Sequence, residues 1–235
     1  MHPRFLESED VVRRFLREAE VGRSVRHPNV VRTLDAGAGT AGGRLHHYLV
    51  MEFVRGQTLR DIMKEEGVLS EKLCRHVGRE IARGLEAIHG TGVVHRDVKP
   101  ENVLVSGGED VRIMDLGVAR VRGEVTRLTR TGVFVGSLQY AAPEQLRDSA
   151  GEVDGRTDLF SLGVLLYEAA TGAHPSGRGD VAALMRSVLF DEPQRASTVN
   201  PGITPFFDEV LHRLLAKEPT ARFASAGAVL LSADA

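Results

Sequence analysis

Four polar residues near the middle of the 235-residue chain have the side chains and the spacing of a reaction centre. Asp97, Lys99 and Asn102 follow one another closely, and Asp115 comes thirteen residues after Asn102. An aspartate can accept the proton of a hydroxyl group, and a lysine two residues away adds positive charge to the same segment. Asparagine and aspartate oxygens are hard ligands for Mg²⁺. These residue types suit a reaction in which a hydroxyl group gives up its proton beside a bound metal ion.

Three short motifs contain or follow these residues. The stretch from His95 to Asn102 reads H-R-D-V-K-P-E-N and fits the catalytic-loop pattern H-R-D-x-x-x-x-N. Asp115-Leu116-Gly117 is a D-x-G sequence at the end of a predicted strand, and Ala142-Pro143-Glu144 fits A-P-E. Leucine replaces the usual phenylalanine at position 116, but it is also apolar and can fill the same space. In order and spacing the motifs resemble the protein kinase family, and most of all its bacterial members of eukaryotic type.

The resemblance implies an α+β, protein-kinase-like fold that transfers the γ-phosphoryl group of ATP to serine or threonine residues of proteins. Such transfer depends on positioning and on electrostatic stabilisation of the phosphoryl oxygens. The catalytic residues would be Asp97, Lys99, Asn102 and Asp115. Asp97 would accept or orient the proton of the attacking hydroxyl, and Lys99 would reach the moving phosphoryl group. Asn102 and Asp115 would hold the Mg²⁺ ions. A lysine at position 99 is the serine/threonine kinase pattern.

The resemblance also places the nucleotide against the segment Met51–Val54. The backbone of Glu52 and Val54 would hydrogen-bond the adenine, with Met51 as gatekeeper, although plain core packing explains an apolar residue at 51 equally well. Leu104 would pack under the adenine ring. The expected cofactors are therefore ATP and Mg²⁺, bound through Glu52, Val54, Leu104, Asn102 and Asp115.

Four charged residues would support this site. Glu18 lies where the family has the helix glutamate that pairs with an active-site lysine; without that context it would be an exposed helix residue. Asp158 resembles the buried aspartate that braces the catalytic loop. Arg222 lies where the family has an arginine that pairs with the glutamate of A-P-E, here Glu144. We expect all four residues to have structural roles.

The polar segment Gly117–Gln139 is predicted to be a long functional loop. It contains Thr129 and Thr131, which we expect to be phosphorylated, and Thr126, which is a weaker candidate. Arg96, beside the catalytic aspartate, could pair with a loop phosphate and order the segment. A merely polar loop is the alternative interpretation.

Hydrophobic periodicity predicts the elements that must position these residues. Apolar residues at spacings of three and four predict a long helix ending near Gly90, with Leu73 on its apolar face. Further helices are predicted at Ser8–Val25, Thr157–Ala170, Asp180–Phe190, Pro205–Ala216 and Ala224–Ser232. Short apolar runs predict strands at Val30–Asp35, Tyr48–Val54, Val93–Val94, Asn102–Val105 and Val111–Met114.

The stretch Gly37–Gly42 spells G-x-G-x-x-G, which is the form of a phosphate-binding loop. A dinucleotide fingerprint should open a helix, whereas this stretch precedes a predicted strand. A kinase glycine loop should precede the glutamate helix, whereas this stretch follows Glu18. We therefore expect a flexible hairpin loop between two strands.

The chain joins the family pattern late, because no glycine-rich loop or strand lysine precedes Glu18. Residues 1–54 are expected to form a partial small lobe with one helix and two strands, and residues 55–235 a complete large lobe. Met1 is expected to be an internal start or a fragment boundary, with the missing elements encoded in frame upstream. The strand Tyr48–Val54 would then have an exposed edge, open to self-association.

Composition narrows the partners and the compartment. The net charge is -2, and no block of like charge indicates nucleic acid. No apolar run approaches the roughly 18 residues of a membrane span. Cys74, the single cysteine, excludes an internal disulfide, so we expect a cytoplasmic protein. Gly136–Glu144 resembles a peptide-docking loop, which favours protein substrates over small molecules. A non-catalytic interaction module is the alternative, but it has no need of four intact catalytic residues.

Overall fold

The computed structural model describes residues 19–20, 22–42, 44–107, 110–116, 138–147, 153–177 and 179–233. It has the predicted α+β architecture, with antiparallel strands in the first half and mainly helices after residue 138. The strands are β1 (Thr33–Ala41), β2 (Arg44–Met51), β3 (Gln57–Thr58), β4 (Val103–Val105) and β5 (Val111–Ile113). Residues 19–20 and 22–24, inside the helix predicted at Ser8–Val25, are helical. The helices after them are α1 (Leu59–Glu66), α2 (Glu71–His89), α3 (Pro143–Leu146), α4 (Gly155–Thr171), α5 (Val181–Phe190), α6 (Ala196–Val199), α7 (Pro205–Leu214) and α8 (Ala226–Ala233), with short 3₁₀ helices at Pro100–Asn102 and Pro219–Ala221.

The core is built around α2 and α4, which pack against each other. The Ser70 hydroxyl caps α2 by accepting a hydrogen bond from the Leu73 N–H. Gly78 lets the two helices approach closely, since a Cβ there would lie 2.9 Å from Leu166 Cδ1. Helix α4 is buried continuously from Thr157 to Tyr167. The face that α2 buries consists mainly of Cys74, Val77, Ile81, Leu85 and Ile88.

A three-stranded antiparallel sheet, in the order β3-β4-β5, brings the two predicted metal ligands together. The first 3₁₀ helix leads into β4, and β5 leads out toward Asp115. Val103 pairs with Ile113, so Asn102 and Asp115 lie at the same end of the strand pair. The Met114 N–H fixes this end by donating to the Asn102 carbonyl at 2.9 Å.

The prediction of a strand at Val93–Val94 is wrong. Residues 93–98 have no regular secondary structure. The backbone N–H groups of His95 and Arg96 donate to the carboxylate of Asp158 instead of to a neighbouring strand. A side chain distant in sequence therefore replaces strand pairing in the segment that leads to Asp97.

The expectation of a flexible loop at Gly37–Gly42 is also wrong. Strand β1 runs through Ala41 and pairs with β2 along its length, with the turn at Gly42, where φ is 58°. Gly37 pairs with Tyr48, and a Cβ on Gly37 would lie 2.6 Å from the Tyr48 hydroxyl. The absence of a side chain at position 37 therefore gives the tyrosine room against β1, in the manner of an aromatic residue covering a strand glycine. Strand β2 ends at Met51 rather than at position 54.

Residues 29–31 connect the β1–β2 hairpin to the rest of the fold. The Val31 N–H donates to the Ile113 carbonyl at 2.8 Å, and the Ile113 N–H donates to the Asn29 carbonyl at 2.8 Å. Residues 52–56, between β2 and β3, are neither helix nor strand. The division into lobes at residue 54 falls in this segment and stays a prediction.

Strand β2 presents apolar side chains to solvent. Leu45, Tyr48 and Val50 are 61%, 46% and 41% exposed. Self-association through β2 nevertheless stays a prediction. Among the described residues there is no helix with both the length and the apolar character of a membrane span.

Candidate active site

Asp158, which is completely buried near the start of α4, anchors the segment that carries Asp97. Its Oδ2 accepts a hydrogen bond from the His95 N–H at 2.8 Å, and its Oδ1 accepts one from the Arg96 N–H at 2.7 Å. His89 Nε2, at the end of α2, lies 2.8 Å from the same Oδ2. The loop is thereby tied to both central helices.

His95 orders the next turn of the loop. Its Nδ1 accepts a hydrogen bond from the Asp97 N–H at 3.2 Å, and its Nε2 donates to the Met114 carbonyl at 3.2 Å. Complete burial lowers the pKa of His95, which keeps the ring neutral, as one donating and one accepting nitrogen require. Arg96 and Asp115 have φ values of 65° and 58°. This left-handed region is uncommon for residues other than glycine, and here it occurs on both sides of the site.

Asp97, Lys99 and Asn102 form one hydrogen-bonded group. Asp97 Oδ2 accepts a hydrogen bond from Lys99 Nζ at 2.8 Å and another from Asn102 Nδ2 at 3.0 Å. The same Asn102 nitrogen donates to the Asp97 carbonyl at 2.9 Å. The side chains of Asp97 and Lys99 are 14% and 17% exposed, so solvent still reaches them. A carboxylate oriented by a cation and an amide, yet accessible, can receive a proton from a bound hydroxyl.

Asp115 and Asn102 have the donor atoms that Mg²⁺ requires. Desolvation by the surrounding protein raises the pKa of Asp115, and the charge of the neighbouring Asp97 raises it further. A cation bound to Asp115 would offset both effects. Because Asn102 Nδ2 faces Asp97, the amide oxygen is the atom left for a metal. The described residues contain no group of three or more His, Cys, Asp or Glu that could hold a metal.

Glu52 has a structural role that the sequence analysis missed. Its N–H donates to the Arg32 carbonyl at 3.0 Å. Its Oε1 accepts hydrogen bonds from the Arg32 N–H at 2.9 Å and from Arg112 Nη1 at 3.0 Å. Because the Glu52 N–H is already engaged with Arg32, only the Glu52 carbonyl oxygen is left for the predicted backbone hydrogen bond with adenine. The signal was present in the sequence, since Glu52 is the one charged residue in an otherwise apolar run.

Met51 and Leu116 lie on a narrow cavity between the hairpin and β5. The cavity measures about 10 Å³ and is also lined by Val30, Leu49 and Ile113. This is room for about one water molecule. Leu116 is 9% exposed, so leucine fills an apolar position in D-L-G as the sequence predicts. Val54 and Leu104, which with Glu52 are the residues predicted to contact adenine, are partly buried.

Glu144 and Arg222 form a buried ion pair. Arg222 Nη1 and Nη2 donate to the two carboxylate oxygens at 2.7 and 2.9 Å. Thr157 Oγ1 donates to Glu144 Oε1 at 2.8 Å. Arg222 also donates to the carbonyls of Ala216, Arg156 and Lys217. Burial alone would raise the pKa of Glu144, but the hydrogen bonds and the charge of Arg222 outweigh it and lower the pKa.

Replacing Arg222 with alanine should reduce the free energy of unfolding by about 3–5 kcal/mol, because it leaves Glu144 buried without its cation. Arg147→Ala is the matched control, since the Arg147–Glu218 pair at 3.1 Å is largely exposed and such pairs contribute about 0–1 kcal/mol. Urea unfolding at pH 7 measures both variants. If both variants lost the same free energy of unfolding, the importance assigned to the buried Glu144–Arg222 pair would be contradicted.

The same pair predicts a pH dependence. The pKa of Glu144 is lower in the folded protein than in the unfolded chain, so its stabilisation is present above the unfolded pKa. It is lost as the pH falls through the folded pKa. The stability difference between the parent and Arg222→Ala should therefore shrink at acid pH, as urea unfolding across a pH series would measure.

Several predicted residues lie outside the described residues. They are Glu18, Gly117, Thr126, Thr129 and Thr131. The structure brings together Asp97, Lys99, Asn102, Asp115 and Asp158, and separately Glu144 and Arg222. Sequence reasoning missed His89, and it missed Arg60 of α1, which contacts Glu101 and Glu168.

Comparison with known proteins gives a consistent result. Residues 4–231 match the family model described as the protein kinase domain. The serine/threonine-protein kinase PknB of Mycobacterium leprae is 36% identical over 214 residues, which are 91% of this chain and 34% of the relative. The serine/threonine-protein kinase PknL of Mycobacterium tuberculosis is 38% identical over 234 residues, which are 100% of this chain and 56% of the relative. The chain thus spans between about a third and about half of these relatives.

A solved structure has a similar fold. The crystal structure of Rad53 1-466 in complex with AMP-PNP superposes with a TM-score of 0.75 at 28% sequence identity. The match covers 96% of this chain and 54% of that one. The α+β fold predicted from the sequence motifs is therefore confirmed.

Proposed function

Because this chain belongs to the protein kinase domain family, we propose that its protein transfers the γ-phosphoryl group of ATP to serine or threonine side chains of proteins. One observation carries the proposal. The Asp97 carboxylate is held by Lys99 and Asn102 at 2.8 and 3.0 Å, on a loop fixed by buried Asp158, near the strand end that presents Asp115. This arrangement of a carboxylate, a cation and two side chains with oxygen donors supports the proposal.

Each of these residues has a role in the proposed transfer. Asp97 orients the acceptor hydroxyl and takes its proton as the oxygen attacks. Lys99 places its charge beside the moving phosphoryl group, which carries negative charge on its equatorial oxygens. Asn102 and Asp115 would hold Mg²⁺, which would supply positive charge to offset the negative charge of the phosphates. The Glu52 carbonyl and the Val54 backbone would bind adenine, with Leu104 beneath the ring.

The acceptor is proposed to be a protein, and the compartment the cytoplasm. Position 99 carries the lysine of the serine/threonine pattern, and the stretch before Glu144 resembles a peptide-docking loop. A single, buried cysteine suits a reducing compartment. These features support the proposal without identifying the substrate.

Phosphorylation of Thr129 or Thr131 is proposed to activate the enzyme. Changing both threonines to alanine should lower activity, because Arg96, beside Asp97, would lose a loop phosphate as its partner. Phosphopeptide mapping of the active full-length protein should detect phosphate at one or both sites. Full activity of a triple alanine variant that also removes Thr126 would refute the idea.

A peptide array tests the proposed function against the alternative of a non-catalytic module. The full-length protein is incubated with ATP, Mg²⁺ and peptides that differ only in having serine, threonine or tyrosine at the centre. We expect phosphate on the serine and threonine peptides and little on tyrosine. Nucleotide binding without transfer to any peptide or protein would favour the non-catalytic alternative.

A further inference from the structure

A cluster outside the catalytic set connects the catalytic loop to the segment before A-P-E. Arg60 Nε donates to Glu101 Oε1 at 2.8 Å. Its Nη1 donates to Glu168 Oε1 at 3.0 Å, and its Nη2 donates to Glu168 Oε2 at 3.3 Å and to the Tyr140 hydroxyl. Every guanidinium nitrogen is therefore engaged. We refer to Arg60, Glu101, Tyr140 and Glu168 as the Arg60 cluster.

The members of the Arg60 cluster come from four separate parts of the chain around Asp97. Arg60 lies on α1, and Glu101 lies beside Asn102 in the first 3₁₀ helix. Glu168 lies on α4, the helix whose Asp158 anchors the catalytic loop. Tyr140 precedes α3 in the segment that resembles a peptide-docking loop. A single guanidinium thus joins the loop of the proposed base to the proposed acceptor surface.

Tyr140 is held from two sides. Its hydroxyl donates to Glu168 Oε2, and its ring meets the ring of His174 edge-on at 6.1 Å. His174 Nε2 donates to the Gln139 carbonyl at 2.9 Å. Burial raises the pKa of Tyr140, and the adjacent Glu168 carboxylate raises it further, so the phenol stays protonated and able to donate. The cluster therefore holds the hydroxyl end of Tyr140, while His174 holds the Gln139 carbonyl and Ser161 Oγ donates to the Tyr140 carbonyl.

Electrostatics makes Arg60 the critical member. The side chains of Arg60 and Glu168 are 18% and 20% exposed, and that of Glu101 is 47% exposed. Two nitrogens of Arg60 meet the two oxygens of Glu168, the charge-assisted fork that arginine forms with carboxylates. Without Arg60, the Glu101 and Glu168 carboxylates would lose the one cation that both contact through a hydrogen bond among the described residues. Like charges so placed repel each other, which would displace Glu101 and its loop.

We propose that Arg60 is a positioning residue for phosphoryl transfer, which sets the acceptor-binding surface through Glu101 and Tyr140. This inference rests on the proposed function. In the described structure the hydrogen bonds of Arg60 go to Glu101, Tyr140 and Glu168, and none of these residues is assigned to the metal or to adenine. Its loss should therefore impair use of the protein acceptor much more than use of ATP.

The test is a kinetic comparison of the full-length parent with Arg60→Ala. The acceptor is the serine or threonine peptide that the parent phosphorylates fastest. We expect KM for the peptide to rise about tenfold or more, because small displacements of positioning groups have effects up to about 10²-fold, while KM for ATP stays within about twofold. The KM of Arg60→Lys for the peptide should lie between those of the parent and Arg60→Ala, because lysine keeps the charge but cannot form the two-pronged contact with Glu168. Millimolar guanidinium should partly restore Arg60→Ala and leave the parent unchanged.

Two further variants guard against a purely structural explanation. Arg195→Ala removes an arginine that also contacts two acids, Asp208 and Glu209, and should leave both KM values unchanged. Tyr140→Phe removes one oxygen from the cluster and should raise KM for the peptide by a smaller factor, even if Arg60→Ala does not fold.

Three results separate the possible failures. If the parent phosphorylates no peptide or protein, the proposed function fails and the inference fails with it. If the parent is active but Arg60→Ala loses kcat and melting temperature together at an unchanged peptide KM, only the positioning role is overturned. If Arg60→Ala does not fold, an unchanged peptide KM in Tyr140→Phe overturns it in the same way.

Discussion

Asp97→Asn should reduce phosphoryl transfer by about 10²–10⁴-fold, the usual contribution of a positioned acid or base. Asparagine has nearly the same shape, and its Oδ1 can still accept the hydrogen bonds from Lys99 and Asn102 that the carboxylate accepts at 2.8 and 3.0 Å. The amide cannot accept the proton of the acceptor hydroxyl. The loss should therefore appear in kcat, measured by release of labelled phosphate onto the acceptor peptide.

Two controls accompany the Asp97 variant. Its melting temperature and its affinity for ATP should match those of the parent, because neither the buried anchor Asp158 nor Asp115 is changed. Asp110→Asn, a neutralised carboxylate in the turn before β5, should keep full activity. Transfer by Asp97→Asn within tenfold of the parent would contradict the role assigned to Asp97.

Asp115→Ala should abolish Mg²⁺-dependent binding of ATP, since the carboxylate is the one charged ligand in the proposed metal site. Mg²⁺ retains several waters and uses few protein ligands, so the neutral Asn102 amide cannot replace Asp115. Titration of labelled ATP with and without Mg²⁺ measures the effect. The parent should bind more tightly with Mg²⁺, and the variant should show no such gain.

The melting temperature of an Asp115 variant without Mg²⁺ serves as a control, because the direction of its change can be predicted. Because the pKa of Asp115 is raised in the folded protein, its charge opposes folding once the pH exceeds the unfolded pKa. Without Mg²⁺ at pH 7, Asp115→Asn should therefore melt at the same temperature as the parent or higher. If Mg²⁺ increased the ATP affinity of Asp115→Ala as much as it increases that of the parent, the assignment of Asp115 would be refuted.

The sequence predicted much of this architecture because the relevant signals are local. The α2 helix follows from apolar residues at spacings of three and four, and β4 and β5 follow from short apolar runs between polar turns. The motif H-R-D-x-x-x-x-N placed Asp97 and Asn102 correctly relative to each other, because the intervening 3₁₀ helix is part of the motif.

The errors arose where distant contacts outweigh local preference. Val93–Val94 has the composition of a strand, but the backbone that follows is held by Asp158, more than sixty residues away. Gly37–Gly42 has the composition of a loop, but strand pairing with β2 and the ring of Tyr48 make it a strand.

No local pattern in the sequence could have predicted the Arg60 cluster. Arg60 lies on the short helix α1, and its partners Glu101, Tyr140 and Glu168 are 41, 80 and 108 residues away in sequence. In the sequence each of these residues is an ordinary polar side chain. Only the folded chain shows that one guanidinium joins the other three.

We propose that this protein moves the terminal phosphoryl group of ATP to a serine or threonine by means of Asp97. The most direct measurement incubates the full-length protein and Asp97→Asn with Mg²⁺, an acceptor protein and ATP labelled at either the α or the γ phosphorus, followed by phosphoamino-acid analysis. We expect phosphoserine or phosphothreonine that is labelled by γ-labelled ATP alone, and almost none with Asp97→Asn. Absence of label with the parent, or equal label with the variant, would contradict it.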